Sequence, residues 1–202
     1  MIEVLVVLAV VVGAPLLWGI ALYNRLVRLK NMVKEGWSGI DVQLKRRANL
    51  IPNLIETVKG YMGHERGVLE KVTELRAQSM GGGAPGEQGR IAGALGRSLA
   101  SLFAVAENYP DLKANQNFMG LQGQLAEIEE QIQLARRYYS AAARNLNIAC
   151  ESFPSVIVAR MFAFSQAEFF EIENAEDRAV PEVSFEAAAA VVVAAGKAAG
   201  TR

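Results

Sequence analysis

A chain of 202 residues, 51% of them hydrophobic, holds enough apolar material for one core and an anchor, and sets one soluble domain as the expectation. Its 21 basic and 21 acidic residues cancel, which excludes the overall field that draws a protein to nucleic acid or anionic substrates and leaves only local patches to matter. A single cysteine, Cys150, excludes an intrachain disulfide and a cysteine-rich metal centre.

From Val4 to Leu22 the chain runs without a charge, and at about 1.5 Å per residue this run covers nearly 30 Å of hydrocarbon. A cleavable signal peptide would need a basic stretch ahead of the apolar one, where Met1, Ile2 and the acidic Glu3 stand instead. The run therefore reads as a permanent transmembrane helix, residues 1–22. Gly13, Pro15 and Gly19 weaken a helix in water, but lipid penalises unpaired backbone enough to keep a kinked helix the expected form. Trp18 and Tyr23 suit the interfacial aromatic belt. Arg25, Arg28, Lys30 and Lys34 follow at once, and the positive-inside rule puts that flank in the cytoplasm. The expected topology is single-pass, N-terminus outside and the rest in the cytoplasm, with these four residues touching lipid headgroups at about 1 kcal/mol each.

Past the span, Leu22, Leu26, Leu29, Val33, Trp37, Ile40 and Leu44 recur at steps of three and four, so the anchor is expected to continue as one helix into the soluble part. Lys45, Arg46 and Arg47, favourable against the negative end of a helix dipole, then Asn49 and Pro52, mark its expected end. A turn is favoured there over a kink, because helical phase restarts with Leu54, Val58, Tyr61, Val68, Val72 and Leu75. The run Gly81 to Gly86 is a linker. It lacks the lysine and hydroxyl residue of a phosphate-binding loop, and no strand precedes it. A third helix carries Ile91, Leu95, Leu99, Leu102 and Ala106 and stops at Asn108, Tyr109 and Pro110.

The longest pattern joins Ala114, Phe118, Leu121, Leu125, Ile128, Ile132, Ala135, Tyr139, Ala142, Leu146, Ala149 and Phe153, a coiled-coil-like heptad seam of about 60 Å if fully helical. Its excess length over the third helix leaves open an intermolecular contact at one end. Beyond Pro154 the aromatic-rich pieces with Met161, Phe162, Phe164, Phe169 and Phe170 are expected to drape back on the bundle. The predicted fold is all-α: the transmembrane helix continues into an antiparallel four-helix bundle over 23–170, followed by an irregular or poorly ordered tail over 171–202.

Few residues suggest chemistry. His64 and Glu65 begin like a zinc-protease motif, but the position for the second histidine is Val68. Glu65 lies on the apolar phase between Tyr61 and Val68 and could be a buried acid; a solvated or ion-paired residue is the plainer reading. Ser38, Ser140 and Ser152 have no base in a suitable motif, and Cys150 on the seam reads as a buried, inert thiol. The trio Lys45 to Arg47 lies about 40 Å beyond the anchor's inner end, out of reach of the same membrane. Arg136 and Arg137 read as a solvated face. No catalytic, cofactor-binding or metal-binding residue is assigned, and no enzyme is expected.

Several segments together carry a resemblance: Tyr23-Asn24-Arg25-Leu26-Val27, Trp37-Ser38-Gly39-Ile40-Asp41 through Arg47, Leu50-Ile51-Pro52-Asn53-Leu54, Val58-Lys59-Gly60-Tyr61, His64-Glu65, Tyr109-Pro110-Asp111-Leu112-Lys113-Ala114, Ala135-Arg136-Arg137-Tyr138-Tyr139 and Phe153-Pro154. Over about residues 20–170 the chain resembles the LemA family of bacterial membrane-anchored proteins. The resemblance implies a single-span anchor, a four-helix bundle and no established enzymatic activity, with one branch associated with magnetosome membranes. Gly36, Gly39, Ala48 and Asn49 depart from the family's usual pattern.

The expected function is a non-enzymatic scaffold that self-associates or recruits partners at the inner membrane and so organises or remodels it. Asp41, Asn53 and Lys113 are its candidate interaction surface. The expected partners are membrane lipid, a second copy and an unidentified protein, with no nucleic acid and no cofactor. The rival expectation is a sensor or enzyme with a hidden polar site inside the bundle, formed by Glu65 and His64 with Tyr139 or Asn145.

Overall fold

The computed structural model describes residues 1–62 and 65–170, and for residues 5–10 the backbone alone. The described residues form helices and no strand: α1 Ile2–Lys59, α2 Arg66–Met80, α3 Pro85–Ala106, α4 Pro110–Lys113, α5 Gln116–Glu151 and α6 Ser155–Met161. Local chemistry explains several starts. Pro85 opens α3, where a missing N–H costs nothing. Asn115 caps α5, its side-chain oxygen accepting from the amides of Asn117 at 2.9 Å and Phe118 at 3.2 Å, a cap worth about 1 kcal/mol. The expected tail at 171–202 and His64 lie outside the described residues.

α1 is the axis of the molecule, 58 residues or roughly 87 Å long. It runs straight through the position where a turn is expected. Pro52 sits inside the helix, and its lack of an N–H leaves the carbonyl of Ala48, four residues earlier, without the usual helical donor. The guanidinium of Arg76 on α2 supplies the replacement, Nε donating to the Ala48 carbonyl at 2.8 Å. The trio Lys45 to Arg47 consequently lies mid-helix and is no terminal cap.

α5 packs antiparallel along α1. Gly36 meets Tyr139 so closely that a Cβ there would lie 3.0 Å from the Tyr139 Cα, while one on Gly39 would lie 4.0 Å from the Cβ of Ala135. Farther along, Arg47 bonds Glu129. Twelve residues beyond Tyr139 α5 ends at Glu151, and twelve residues before Gly36 stands Asn24. The packed part of α1 begins there, as the buried cluster of Leu26 with Leu146, Ala149 and Cys150 attests.

The core changes character along this axis. At the far end five helices contribute: Ile51, Leu54 and Val58 of α1 pack with Val72 and Leu75 of α2, Leu95 and Leu102 of α3, Leu112 of α4, and Phe118 and Leu125 of α5. In the middle, Ile40 and Leu44 meet Ile128, Ile132 and Tyr139. Toward the N-terminal end, among the described residues, α1 and α5 are covered by α6 and by a strap without regular structure, residues 164–170. Tyr139 Oη donates to the Glu168 carbonyl at 2.6 Å, and Asn147 holds Ala167 by both backbone groups, at 2.8 and 3.0 Å. Phe170 is buried, so the expected drape is real for it, whereas Met161, Phe162 and Phe169 are exposed.

Two expectations about the seam change. α5 ends at Glu151, and Phe153, the seam's last member, is 80% exposed. The length of α5 in excess of α3 is taken up inside the chain, along Leu26 to Ile40 of α1 under α6 and the strap.

Among the described residues, Leu22, lining a cleft with Ile148 and Ser155, and Tyr23, against the rings of Phe162 and Phe164, still touch the end of the bundle. Ile2, Val4, Val11, Val12, Leu16, Leu17, Trp18 and Ile20 are exposed, Leu17 by 69%. Residues 5–10 of the expected span fall among those without described side chains, and among the described residues no helix is long and apolar enough to cross a membrane.

Candidate functional site

The end of the bundle nearest the free stretch of α1 gathers aromatic and basic groups. Ala163, at φ 52°, takes the left-handed conformation that closes α6, and the Phe164 amide bonds back to the Ala159 carbonyl at 2.9 Å. The reversal sets both flanking rings on Tyr23, with centroids 4.7 Å away for Phe162 and 5.8 Å for Phe164. Lys30 lies 5.6 Å over the Phe164 ring. Beside them is a cleft of about 370 Å³ lined by Leu22, Arg25, Leu29, Asn145, Phe153 and Pro154. Arg25, Arg28, Lys30 and Lys34 are all exposed on α1, within one dozen residues of Leu22.

The candidate interaction residues are not brought together. Asp41 bonds Lys45 one turn along its own helix at 2.6 Å, an exposed pair of small energetic weight. Asn53 is exposed twelve residues farther on, beside a cleft with Gln116 and Asn117. Lys113, exposed at the end of α4, borders a different cleft with Glu107 and Phe118.

Of the proposed hidden polar site, the described residues Glu65, Tyr139 and Asn145 do not converge either, and His64 lies outside the described residues. Glu65 sits at the start of α2, beyond the far end of α1, while Tyr139 packs against Trp37, roughly 30 Å back along the axis. Asn145 is exposed at the cleft that Leu22 and Arg25 line. Among the described residues no three His, Cys, Asp or Glu side chains could hold a metal ion. Cys150 is buried, and desolvation, with the Glu151 charge adding, pushes its thiol pKa up and keeps it protonated and unreactive.

One polar feature escaped the reading of the sequence. Arg47 is 2% exposed; its Nη1 donates to Glu129 Oε2 at 2.9 Å and its Nη2 to the Ala92 carbonyl of α3 at 3.1 Å. It pins three helices at the level where α3 joins the bundle. Burial draws the guanidinium pKa down, and the Glu129 charge and hydrogen bond oppose that shift. The signal was present: Ile40, Leu44, Arg47, Ile51, Leu54 and Val58 follow one another at steps of four and three, so Arg47 occupies a core position of the heptad.

The class so defined is a helical bundle built on one long N-terminal helix, with its polar groups spent on joining elements. The chain belongs to the LemA family, whose family model matches residues 36–185, a stretch that begins beyond the apolar run. It is 26% identical over 181 residues to the magnetosome proteins MamQ 1 and MamQ 2 of Paramagnetospirillum magneticum, covering 77% of this chain and 66% of each of those. It is also 24% identical over 157 residues to protein LemA of Metamycoplasma hominis, covering 76% of this chain and 70% of that one. The chain thus spans just under two thirds of the length of the MamQ relatives.

Proposed function

We propose that this protein is a single-pass protein of the bacterial inner membrane that acts as a non-enzymatic scaffold, with its N-terminus outside and an antiparallel four-helix bundle in the cytoplasm. The observation that carries this reading is the division of α1. From Leu26 onward α1 carries buried or half-buried apolar side chains at each turn, whereas the described ones Ile2, Val4, Val11, Val12, Leu16, Leu17, Trp18 and Ile20 are exposed. A soluble monomer rarely leaves so large a contiguous apolar surface in water, and lipid is the medium that suits it. The charge-free run from Val4 to Leu22 has the length of a span, and Arg25, Arg28, Lys30 and Lys34 stand where anionic headgroups would meet them. The names of the MamQ relatives tie them to magnetosomes, which agrees with a role in organising membrane. Asp41, Asn53 and Lys113 remain the proposed polar contacts to a second copy or another protein, each exposed or half-exposed and well separated from the lipid end.

The test is carried out on native membranes. The full chain is expected to stay with the bilayer after carbonate washing, and a Lys113→Cys variant to react with a membrane-impermeant thiol reagent only after the inner membrane is opened. Release by carbonate would remove the anchor. Crosslinking is expected to trap copies or partners of the bundle; isolated chains alone at native abundance would remove the scaffold.

A further inference from the structure

Three features at one end of the bundle leave apolar side chains exposed: the turn after α5, the outward face of α6, and Phe162 beside Tyr23. α6 starts against α5, where Ser155 Oγ donates to the Ala149 carbonyl at 2.7 Å, and its C-terminal residue leads into Phe162, stacked on Tyr23. The helix therefore lies across the end of the bundle. Ser155 and Ala159, four apart, face inward and are buried. Ile157 and Met161, also four apart, face outward and are 53% and 72% exposed. Phe153 and Phe162, at either end of the same short helix, are exposed as well.

The height of this patch along α1 decides what covers it. The antiparallel register that places Tyr139 beside Gly36 brings the end of α5, Glu151, level with Asn24, and Phe153 in the turn beyond lines one cleft with Leu22, the last residue of the expected span. Phe162 is held at the level of Tyr23 by ring contact. The patch thus continues the apolar surface of the span sideways, at the depth where that surface gives way to charge. Exposed Arg25 lines the cleft beside Phe153 and exposed Arg160 lies on α6 itself, while Glu151 carries its charge at the end of α5, with one carboxylate oxygen accepting from Gln166 at 2.6 Å. Apolar side chains with arginines beside them match the boundary between acyl chains and anionic headgroups.

We propose that α6 and the turn before it form a second membrane contact, with Phe153, Ile157, Met161 and Phe162 inserted at the headgroup boundary of the bilayer that the N-terminal helix spans. This rests on the anchored reading and deepens it: the bundle is held at two points on one face, and its tilt is fixed as well as its height. The occupant is anionic phospholipid, favoured over a second protein copy by continuity with the span and by the arginines beside the patch.

The experiment uses the full chain in vesicles of phosphatidylethanolamine and phosphatidylglycerol. A single environment-sensitive fluorophore is placed at Phe153→Cys or Ile157→Cys in a Cys150→Ala background, with Val12→Cys reporting the span and Lys113→Cys the far end. The expected result at positions 153 and 157 is a blue-shifted emission, quenching by lipids bearing a nitroxide near the headgroup, and loss of quenching by aqueous iodide. Lys113→Cys is expected to respond to iodide alone. Lipid quenching at position 12 with iodide quenching at 153 and 157 overturns the second contact and leaves the anchor standing. Iodide quenching at all positions overturns both. Probes at 153 and 157 shielded from both quenchers overturn the lipid contact in favour of a protein one. The natural chain gives an independent readout that no substitution can confound: phospholipids carrying a diazirine just below the headgroup are expected to leave adducts within residues 153–162, and adducts confined to residues 4–22 refute the proposal.

Discussion

Replacing Arg76 by methionine takes away the donor that stands in for the missing amide of Pro52. The Ala48 carbonyl it serves belongs to a residue 1% exposed, and the bond is 2.8 Å from a charged nitrogen. A hydrogen bond to a charged group contributes about 1.5–3 kcal/mol, and an orphaned buried carbonyl costs about 1–3 kcal/mol. Because Arg76 is only half-buried, the lower part of the range applies, and Arg76→Met is expected to cost about 1.5 kcal/mol. In a Pro52→Ala background the new amide meets the same carbonyl along the helix, and the cost is expected to fall below about 0.5 kcal/mol. The double-mutant cycle therefore predicts a coupling of about 1 kcal/mol. Urea unfolding of the four variants in one detergent, followed by circular dichroism at a helical wavelength, measures it. Equal costs of Arg76→Met in both backgrounds would refute the idea that the guanidinium repairs the proline's defect.

The remaining predictions use the same assay. Glu129→Ala leaves the Arg47 guanidinium buried without its counter-charge, whereas Arg47→Met leaves a Glu129 side chain that is 44% exposed and can be hydrated. The first is expected to cost about 2–3 kcal/mol and the second less than about 1 kcal/mol, and the opposite order would overturn the asymmetry. Gly36→Ala drives a methyl against the Tyr139 backbone and is expected to destabilise by about 1 kcal/mol despite better helix propensity. Gly39→Ala, with ordinary clearance, is expected to stabilise by about 0.5–1 kcal/mol; a gain from both would mean that α1 and α5 separate freely. Burial, and secondarily the Glu168 charge, raise the pKa of Tyr139, so the folded state holds the phenolic proton more tightly than the unfolded one. That contribution is intact below the ordinary phenol value of about 10 and is lost as pH rises from there toward the folded value. Tyr139→Phe is expected to flatten this alkaline decline while losing about 1 kcal/mol at neutral pH with the Glu168 bond; an unchanged slope would count against it.

The helices could be read from the sequence because apolar periodicity is a local property: the steps from Phe118 to Ala149 mark most of the buried face of α5 directly. The continuity of α1 through Pro52 could not. Proline's effect is local, but its remedy comes from Arg76 on another helix. Arg47 was misread for a related reason, since three basic residues in a row suggest a helix end unless the heptad phase is carried across them. Phe153 shows the limit of the phase itself: the spacing persists past the residue where the helix stops. As for the site, the basic flank and the aromatic pieces were legible, but not their meeting at one level, because that depends on the antiparallel register and on the reversal at Ala163. The packing partner of Gly36, a position that stood out only as a departure from the family's usual pattern, likewise needed α5 to be in place.

α1 also constrains orientation about its own axis. An unbroken helix transmits rotation, so each residue inserted or removed between Leu22 and Leu26 turns everything beyond it by about 100° and shifts it by about 1.5 Å. A jointed tether would let the bundle swivel freely. Here the azimuth of the bundle is geared to that of the apolar N-terminal stretch, and two chains that paired through their N-terminal ends would present their bundles to one another in a fixed rotational setting.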